Sequence, residues 1–293
     1  MPSGIAISAL FVVLWSTGFI GAKLGLPHAE SMTFLALRFA LVAAVLFIWV
    51  AVSGARWLTR AQVRDQALIG ALVHFIYLGG VFAGIEQGVE AGVAAMIVGL
   101  QPVAMAVLAR YLLGEHLVPV QWVGMILGLG GVGLVVLRKL DAGLGTPAGV
   151  LLCAAALVGI SFGAILQKRL SGDTPMRAGN AVQFLVAALG CGAMALLFER
   201  MQIRWAPEFI LALSWSVVVL SIGAVAILYW LIQRGAAGEV ASLFFLVPPC
   251  TAVIAWPLFG EVLGWAEIGG MALAALGVLL VNRPGIIGSR AAS

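Results

Sequence analysis

One stretch of the chain occurs twice, 146 residues apart, half the length of the 293-residue sequence. Pro102 is followed thirteen residues later by Glu115 of Gly114-Glu115, and Pro248 thirteen later by Glu261 of Gly260-Glu261. The register runs on in both directions: Gln87 falls on Gln233, Ala91-Gly92 on Ala237-Gly238, Gly124-Met125 on Gly270-Met271 and Gly131-Val132 on Gly277-Val278. With the offset moved by one residue, Lys23 falls on Lys168 and Arg38-Phe39 on Gln183-Phe184.

What repeats is a set of apolar segments. A hydrophobic fraction of 63%, 10% charged residues and a mean hydropathy of +1.14 exclude an ordinary soluble domain, which is roughly a quarter charged. Each segment is about 20 residues long, enough for a helix to cross a ~30 Å hydrocarbon core and about twice what a tilted barrel strand needs. The sequence therefore predicts an all-α integral membrane protein. Glycines four apart, such as Gly80, Gly84, Gly88 and Gly92 or Gly124 and Gly128, suit close helix packing in lipid. Cys153, Cys191 and Cys250 lie within apolar spans and are odd in number, so no disulfide framework is expected. The net charge of +4 comes from basic residues scattered at span ends, not from a nucleic-acid patch.

Apolar runs between polar punctuation predict ten transmembrane helices, near 5–24, 32–53, 66–86, 89–110, 118–137, 147–168, 177–198, 209–231, 237–258 and 263–281. The first has neither a basic n-region nor a cleavage site and is read as a retained span. Five spans per repeat force the second copy to enter the membrane upside down, so the expected organisation is a repeat over 1–140, an inverted repeat over 145–285 and a short cytoplasmic tail, 286–293. With the N-terminus inside, Arg56, Arg60, Arg64, Arg110, Lys168, Arg169, Arg177, Arg234, Arg283 and Arg290 face the cytoplasm, against Lys23, Arg138, Lys139, Arg200 and Arg204 outside. This bias places both termini in the cytoplasm. Inverted repeats of this kind are common in secondary transporters, with the solute held between the halves near the midplane.

Two motifs are set aside. Gly159-Ile160-Ser161-Phe162-Gly163 fits the pattern of a hydrolase nucleophile elbow, and Gly128-Leu129-Gly130-Gly131-Val132-Gly133 fits a dinucleotide fingerprint. Both need a strand-to-helix turn, and both lie inside apolar helical spans. There is no Walker A sequence and no metal-ligand spacing, so neither a cofactor nor an enzymatic role is expected.

Polar groups at membrane depth are costly unless they face a cavity or a partner, so they are the informative positions. His74 and Tyr77, three apart, share one helical face near the centre of the third span. Gln101 precedes Pro102 at mid-span, and Pro248-Pro249 occupies the matching depth in the ninth. Proline frees the carbonyl four residues back, here those of Val98, Phe244 and Phe245, and such breaks survive where neighbours or a cavity satisfy the freed groups. Trp15, Phe162, Phe244 and Phe245 lie at similar depth and could wall an apolar or aromatic solute. Trp49, Trp57, Trp205, Tyr229 and Trp230 fit the interfacial belt. Lys23 and Lys168 close the first span of each repeat, on opposite faces, as snorkelling or gating charges. Arg38, two turns into the second span, needs a partner, for which Glu86 or Glu90 is expected. Glu115 and Glu261 are expected to cap or orient span ends. No carboxylate and no cluster of cations is expected at mid-depth, and His74 is the one deep group that ordinarily titrates near neutrality, a candidate for coupling to protons.

These features resemble the EamA branch of the drug/metabolite transporter superfamily. The resemblance is carried by Trp15-Ser16 through Lys23, by Arg38-Phe39 and by the Pro-to-Gly-Glu stretches 102–115 and 248–261, and it covers essentially the whole chain. It implies ten helices in an inverted five-plus-five repeat and a central cavity formed by the first, third, fourth, sixth, eighth and ninth. Within the branch the chain is similar to the YddG-type bacterial exporters of aromatic amino acids and related metabolites. The expectation is thus a secondary transporter of the bacterial inner membrane that exports amino acids, aromatic or apolar, by alternating access. Trp15, His74, Tyr77, Gln101, Phe162, Phe244 and Phe245 would line its cavity; Pro102, Pro248, Pro249, Lys23, Lys168 and Arg38 would serve bending or gating. Its partners would be a small-molecule solute, the bilayer and, as a candidate coupling ion, protons, with no nucleic acid and no obligate protein. A sugar-phosphate or nucleotide-sugar carrier is the rival reading, and an integral-membrane enzyme a more distant one.

Overall fold

In hydrocarbon every backbone N–H and C=O must bond within the chain, and the described residues accordingly form helices and no strand. The computed structural model describes residues 2–113, 117–225, 227, 231, 243–261 and 264–281. Gly114, Glu115, Tyr229, Trp230, Gln233, Arg234, Ala237, Gly238, Arg283, Arg290 and the side chain of Phe245 lie outside what is described.

The helices are α1 (Pro2–Gly25), α2 (Ser31–Ser53), α3 (Arg60–Glu86), α4 in two segments (Ala91–Gly99 and Gln101–Leu113), α5 (Pro119–Asp141), α6 (Pro147–Leu170), α7 (Met176–Phe198), α8 (Pro207–Ala224), α9 (Val247–Phe259) and α10 (Trp265–Val281). Among the described residues eight of these, α1 to α8, contain apolar stretches long enough to cross a membrane, and the described parts of α9 and α10 are shorter, at 13 and 17 residues. Polar residues set the ends. A reciprocal pair starts α3, the Gln62 N–H donating to Thr59 Oγ1 and the Thr59 N–H to Gln62 Oε1. Thr146 caps α6 by accepting from the Gly149 N–H. Two carboxylates from distant segments cap α2: Glu86 accepts from Ser31, and Glu199 from the N–H groups of Met32 and Thr33, complementing the positive end of the helix.

Helices pair across the two halves of the sequence. The most extensive contacts join α5 to α10, α3 to α6 and α2 to α7, followed by α3 to α7, α1 to α8, α4 to α6, α1 to α9 and α4 to α9. Glycines make the closest approaches possible. A Cβ on Gly80 of α3 would lie 2.5 Å from the Leu152 carbonyl oxygen of α6, and one on Gly131 of α5 would lie 2.5 Å from that of Gly270 in α10. The two motifs set aside above are used in this packing: Gly159 and Gly163 abut Leu72, Val73 and Ile76, and Ser161 donates to its own helix at the Leu157 carbonyl.

Large apolar side chains such as Ile126, Leu151, Leu196 and Phe198 point outward and are mostly exposed, as is Trp205, while Trp49 and Trp57 are close to half exposed. A soluble protein rarely exposes apolar patches of that extent, whereas lipid removes their cost. Outward-facing apolar surface on long apolar helices makes this a multi-pass membrane protein.

Among the described residues four helices depart from α geometry. The two segments of α4 are separated at Leu100, just before Pro102, and α9 is preceded by a 3-10 turn, Phe244–Leu246, just before Pro248. Offset by 146, Val98–Leu100 falls on that turn. The other two departures have no proline: α3 is π-helical over Ala71–Ile76, and α8 is π-helical over Trp215–Ala224. The same offset carries residues 71–76 onto 217–222, inside the second π segment.

Candidate functional site

The π segments face each other across the bundle, and between them lies a cavity of about 120 Å³. A π turn bonds each N–H one residue further back than an α turn, which widens the helix and displaces side chains from their regular positions. Here it delivers Val73 and His74 from α3 and Leu220, Ser221 and Ala224 from α8. Trp15, Gly18 and Phe19 of α1, Arg38 of α2, Ile160 of α6 and Phe184 of α7 complete the wall, with Tyr77, Val81 and Phe82 further along α3.

Most of the wall is apolar, and its polar groups are buried. Arg38 is 5% exposed, and its Nε and Nη2 both donate to Ser221 Oγ, at 3.3 and 3.1 Å. Ser221 in turn donates a hydrogen bond to the Ser216 carbonyl, at 3.0 Å. The His74 ring stacks on Phe184, with centroids 4.2 Å apart and planes 22° off parallel, and lies 5.9 Å from the Phe39 ring. Its Nδ1 is buried without a hydrogen-bond partner. Trp15 is held by edge contacts to Phe244 at 5.2 Å and by Phe11 at 5.3 Å.

Of the residues expected at the site from sequence, Trp15, His74, Tyr77 and Arg38 are brought together in this cavity. Phe244 stands behind Trp15 as its support. Gln101, Pro102 and Phe162 do not reach it, and Pro248 and Pro249 line a separate space of about 30 Å³ with Met96, Gly99 and Leu100, where the two helix breaks meet. Among the described residues the wall therefore draws on α2 and α7, where α4 and α9 were expected. Phe184, Phe19 and Phe82 were missed, since nothing in their local sequence separates a cavity-facing apolar residue from a lipid-facing one; Ser221 was missed although a hydroxyl within an apolar span is the kind of polar signal that singled out His74.

Arg38 corrects a second expectation. Glu86 is engaged with Ser31, and Glu90 pairs with Lys139 at 2.9 Å, so neither serves Arg38. The guanidinium turns into the cavity instead, placing a cation where none was expected. Among the described residues no His, Cys, Asp or Glu cluster could hold a metal ion.

The lysines sit at opposite ends of the bundle. Lys23 Nζ lies 2.6 Å from Glu261 Oε1, and the same carboxylate accepts the Ala91 and Gly92 N–H groups at the start of α4, at 2.8 and 3.2 Å. Beside it Lys139 bridges Glu90 and Glu267. This end adjoins the C-terminus of α3, where a vestibule is lined by Lys23, Ile85 and Glu86. Lys168, by contrast, is exposed near the N-terminus of α3, where neutral side chains tie the helices: Gln66 to Ser171, and Gln183 to Gln66 and Gln167.

A sequence profile describing the EamA-like transporter family matches residues 2–137 and, a second time, 147–283. The chain belongs to the EamA-like transporter family. It is 26% identical to the uncharacterized transporter YvbV of Bacillus subtilis over 94% of this chain and 90% of that one. It is also 26% identical to a protein of Salmonella typhimurium named probable amino-acid metabolite efflux pump, over 94% and 93% of the two chains. A protein of Streptantibioticus cattleyicolor named probable terminal-alkyne amino-acid exporter is 28% identical over 94% and 91%. Among solved structures, a crystal structure at 22% identity superposes with a TM-score of 0.63 over 96% of each chain, which speaks for the fold.

Proposed function

We propose that this family member is a secondary transporter that exports amino acids with aromatic or apolar side chains, and related small metabolites, across a bacterial inner membrane by alternating access. The observation that carries the reading is the cavity between Trp15, His74 and Tyr77 on one side and Leu220 and Ser221 on the other, formed by both halves of the chain. Its volume is on the order of that of an engineered cavity that accepts benzene, a fit to a compact apolar side chain. The names of the Salmonella and Streptantibioticus relatives point to the same solute class.

Ten transmembrane helices in two inverted repeats, 1–140 and 145–285, best account for the helix pairing. A two-fold axis exchanging the halves would turn the pairing of α1 with α8 into that of α6 with α3, and α1 with α9 into α6 with α4, and would map α2–α7 and α5–α10 onto themselves. All of these pairings occur. The distribution of Lys and Arg supports a cytoplasmic position for both termini. Pro102 and Pro248-Pro249 would let α4 and α9 bend as one end opens and the other closes, with Lys23 and Lys168 at the two ends and His74 a candidate for proton coupling.

The test is counterflow of labelled phenylalanine, leucine, threonine and a sugar phosphate in proteoliposomes of the purified protein, with and without a pH gradient. Saturable exchange of phenylalanine or leucine, lost when His74 or Tyr77 is changed to Ala in protein that still purifies as folded, is the expected result. Exchange of sugar phosphate alone would replace the solute class, and full activity of both variants would remove those residues from the site.

A further inference from the structure

One pole of the cavity is polar and lacks a counter-charge. The only hydrogen bonds of Arg38 among the described residues are the two to Ser221 Oγ, and no described carboxylate forms an ion pair with it. A guanidinium carries five donors in a planar fork matched to two oxygens, and burying it without an anion is expensive. His74 offers a further unpartnered nitrogen at the same pole, and stacking on Phe184 keeps the ring from turning away.

We propose that Arg38, with Ser221 and His74, is the recognition site for the solute's carboxylate, and that the cavity selects organic monocarboxylates whether or not they carry an amine. The inference rests on the reading of this cavity as the solute site and narrows it. The guanidinium donates to the two carboxylate oxygens, Ser221 holds the guanidinium in place by accepting from it, and His74 adds a donor when its proton is on Nδ1. The rest of the solute extends along Trp15, Tyr77 and Phe82. No Asp or Glu lines the cavity among the described residues, so an ammonium meets no opposite charge there, and a single guanidinium balances a carboxylate but not a phosphate dianion.

The experiment compares three probes that share a ring: phenylalanine, 3-phenylpropionate, which lacks the amine, and phenylalaninamide, which lacks the carboxylate. Binding is read by thermal stabilisation of the purified full chain and transport by counterflow. The wild type should bind phenylalanine and 3-phenylpropionate within about tenfold of each other and the amide on the order of a hundredfold more weakly. Arg38→Gln should abolish the preference for carboxylate over amide, and Arg38→Lys should restore it in part. Ser221→Ala, a smaller change, should weaken both carboxylates roughly tenfold and leave the amide unmoved, which decides the matter if Arg38→Gln yields no folded protein. Equal exchange of phenylalanine and its amide would overturn the carboxylate site while leaving amino acid transport standing. Arg38-dependent binding of 3-phenylpropionate with no exchange of any amino acid would do the reverse. Stabilisation by neither carboxylate would overturn the inference.

Discussion

Buried amides and buried charges act in this protein through partners that lie far away in sequence. Gln183 is 3% exposed and donates to Gln66 Oε1 at 2.6 Å and to Gln167 Oε1 at 3.0 Å. Gln66 is itself 1% exposed. Gln183→Leu removes both donors and leaves the Gln66 carbonyl without water or partner, a cost of about 1–3 kcal/mol. The expected outcome is an unfolding free energy lower by that amount, seen as an earlier midpoint in a denaturing-detergent titration of the purified protein; an unchanged midpoint would mean that the network is not formed. The same long-range character limits what single residues disclose in sequence. His74 and Tyr77 could be paired from their spacing, since it puts them on one face of one helix. Arg38 could not be paired, because Glu86 and Glu90 stand at a plausible depth but are held by Ser31 and Lys139, contacts that no spacing along the chain records.

At the scale of elements, the breaks that proline causes were legible and those without proline were not. Pro102 and Pro248 mark the interruptions at Leu100 and at Phe244–Leu246 by removing a backbone donor. The π segments in α3 and α8 contain no residue that forces them. Their widened turns arise where α3 packs against α6 and α7, and α8 against α1 and α2. A π turn holds one residue more than the α turn it replaces, so removing one residue from Ala71–Ile76 should restore a regular helix while keeping both flanks in register. Deletion of Val73 is therefore expected to preserve the contacts of Gly80 and Gly84 with α6, giving a monodisperse protein whose melting temperature falls by no more than about 5 °C. It should nevertheless lose solute exchange, since His74 is carried away from Phe184 and Arg38. A misfolded product would instead indicate that the flanks depend on the bulge.

Across the whole molecule the two ends of the bundle are held by different chemistry, and that asymmetry bears on alternating access. One end is tied by Lys23, Glu261 and the N–H groups of Ala91 and Gly92, next to Lys139 between Glu90 and Glu267, so that α1, α4, α5, α10 and the segment after α9 are joined by charge. Among the described residues the other end has no ion pair between helices and is tied by amides and hydroxyls, with Lys168 exposed. Glu261 is 5% exposed and accepts from three donors, so opening this end must separate a pair whose carboxylate is largely desolvated. Under the proposed mechanism the pair weights the equilibrium toward closure on this side. Glu261→Gln keeps the shape and can still accept from the helix start, but it gives up the attraction to Lys23. In a background where Cys153, Cys191 and Cys250 are replaced, a cysteine at position 18 would report the change, because Gly18 lines the cavity and a Cβ there meets nothing nearer than 3.8 Å. A membrane-impermeant maleimide applied from the Lys23 side should label that cysteine slowly beside native Glu261 and about tenfold faster beside Glu261→Gln, which corresponds to a shift of about 1.4 kcal/mol between the closed and open forms. Equal rates would show that the carboxylate only caps α4 and takes no part in closing the path.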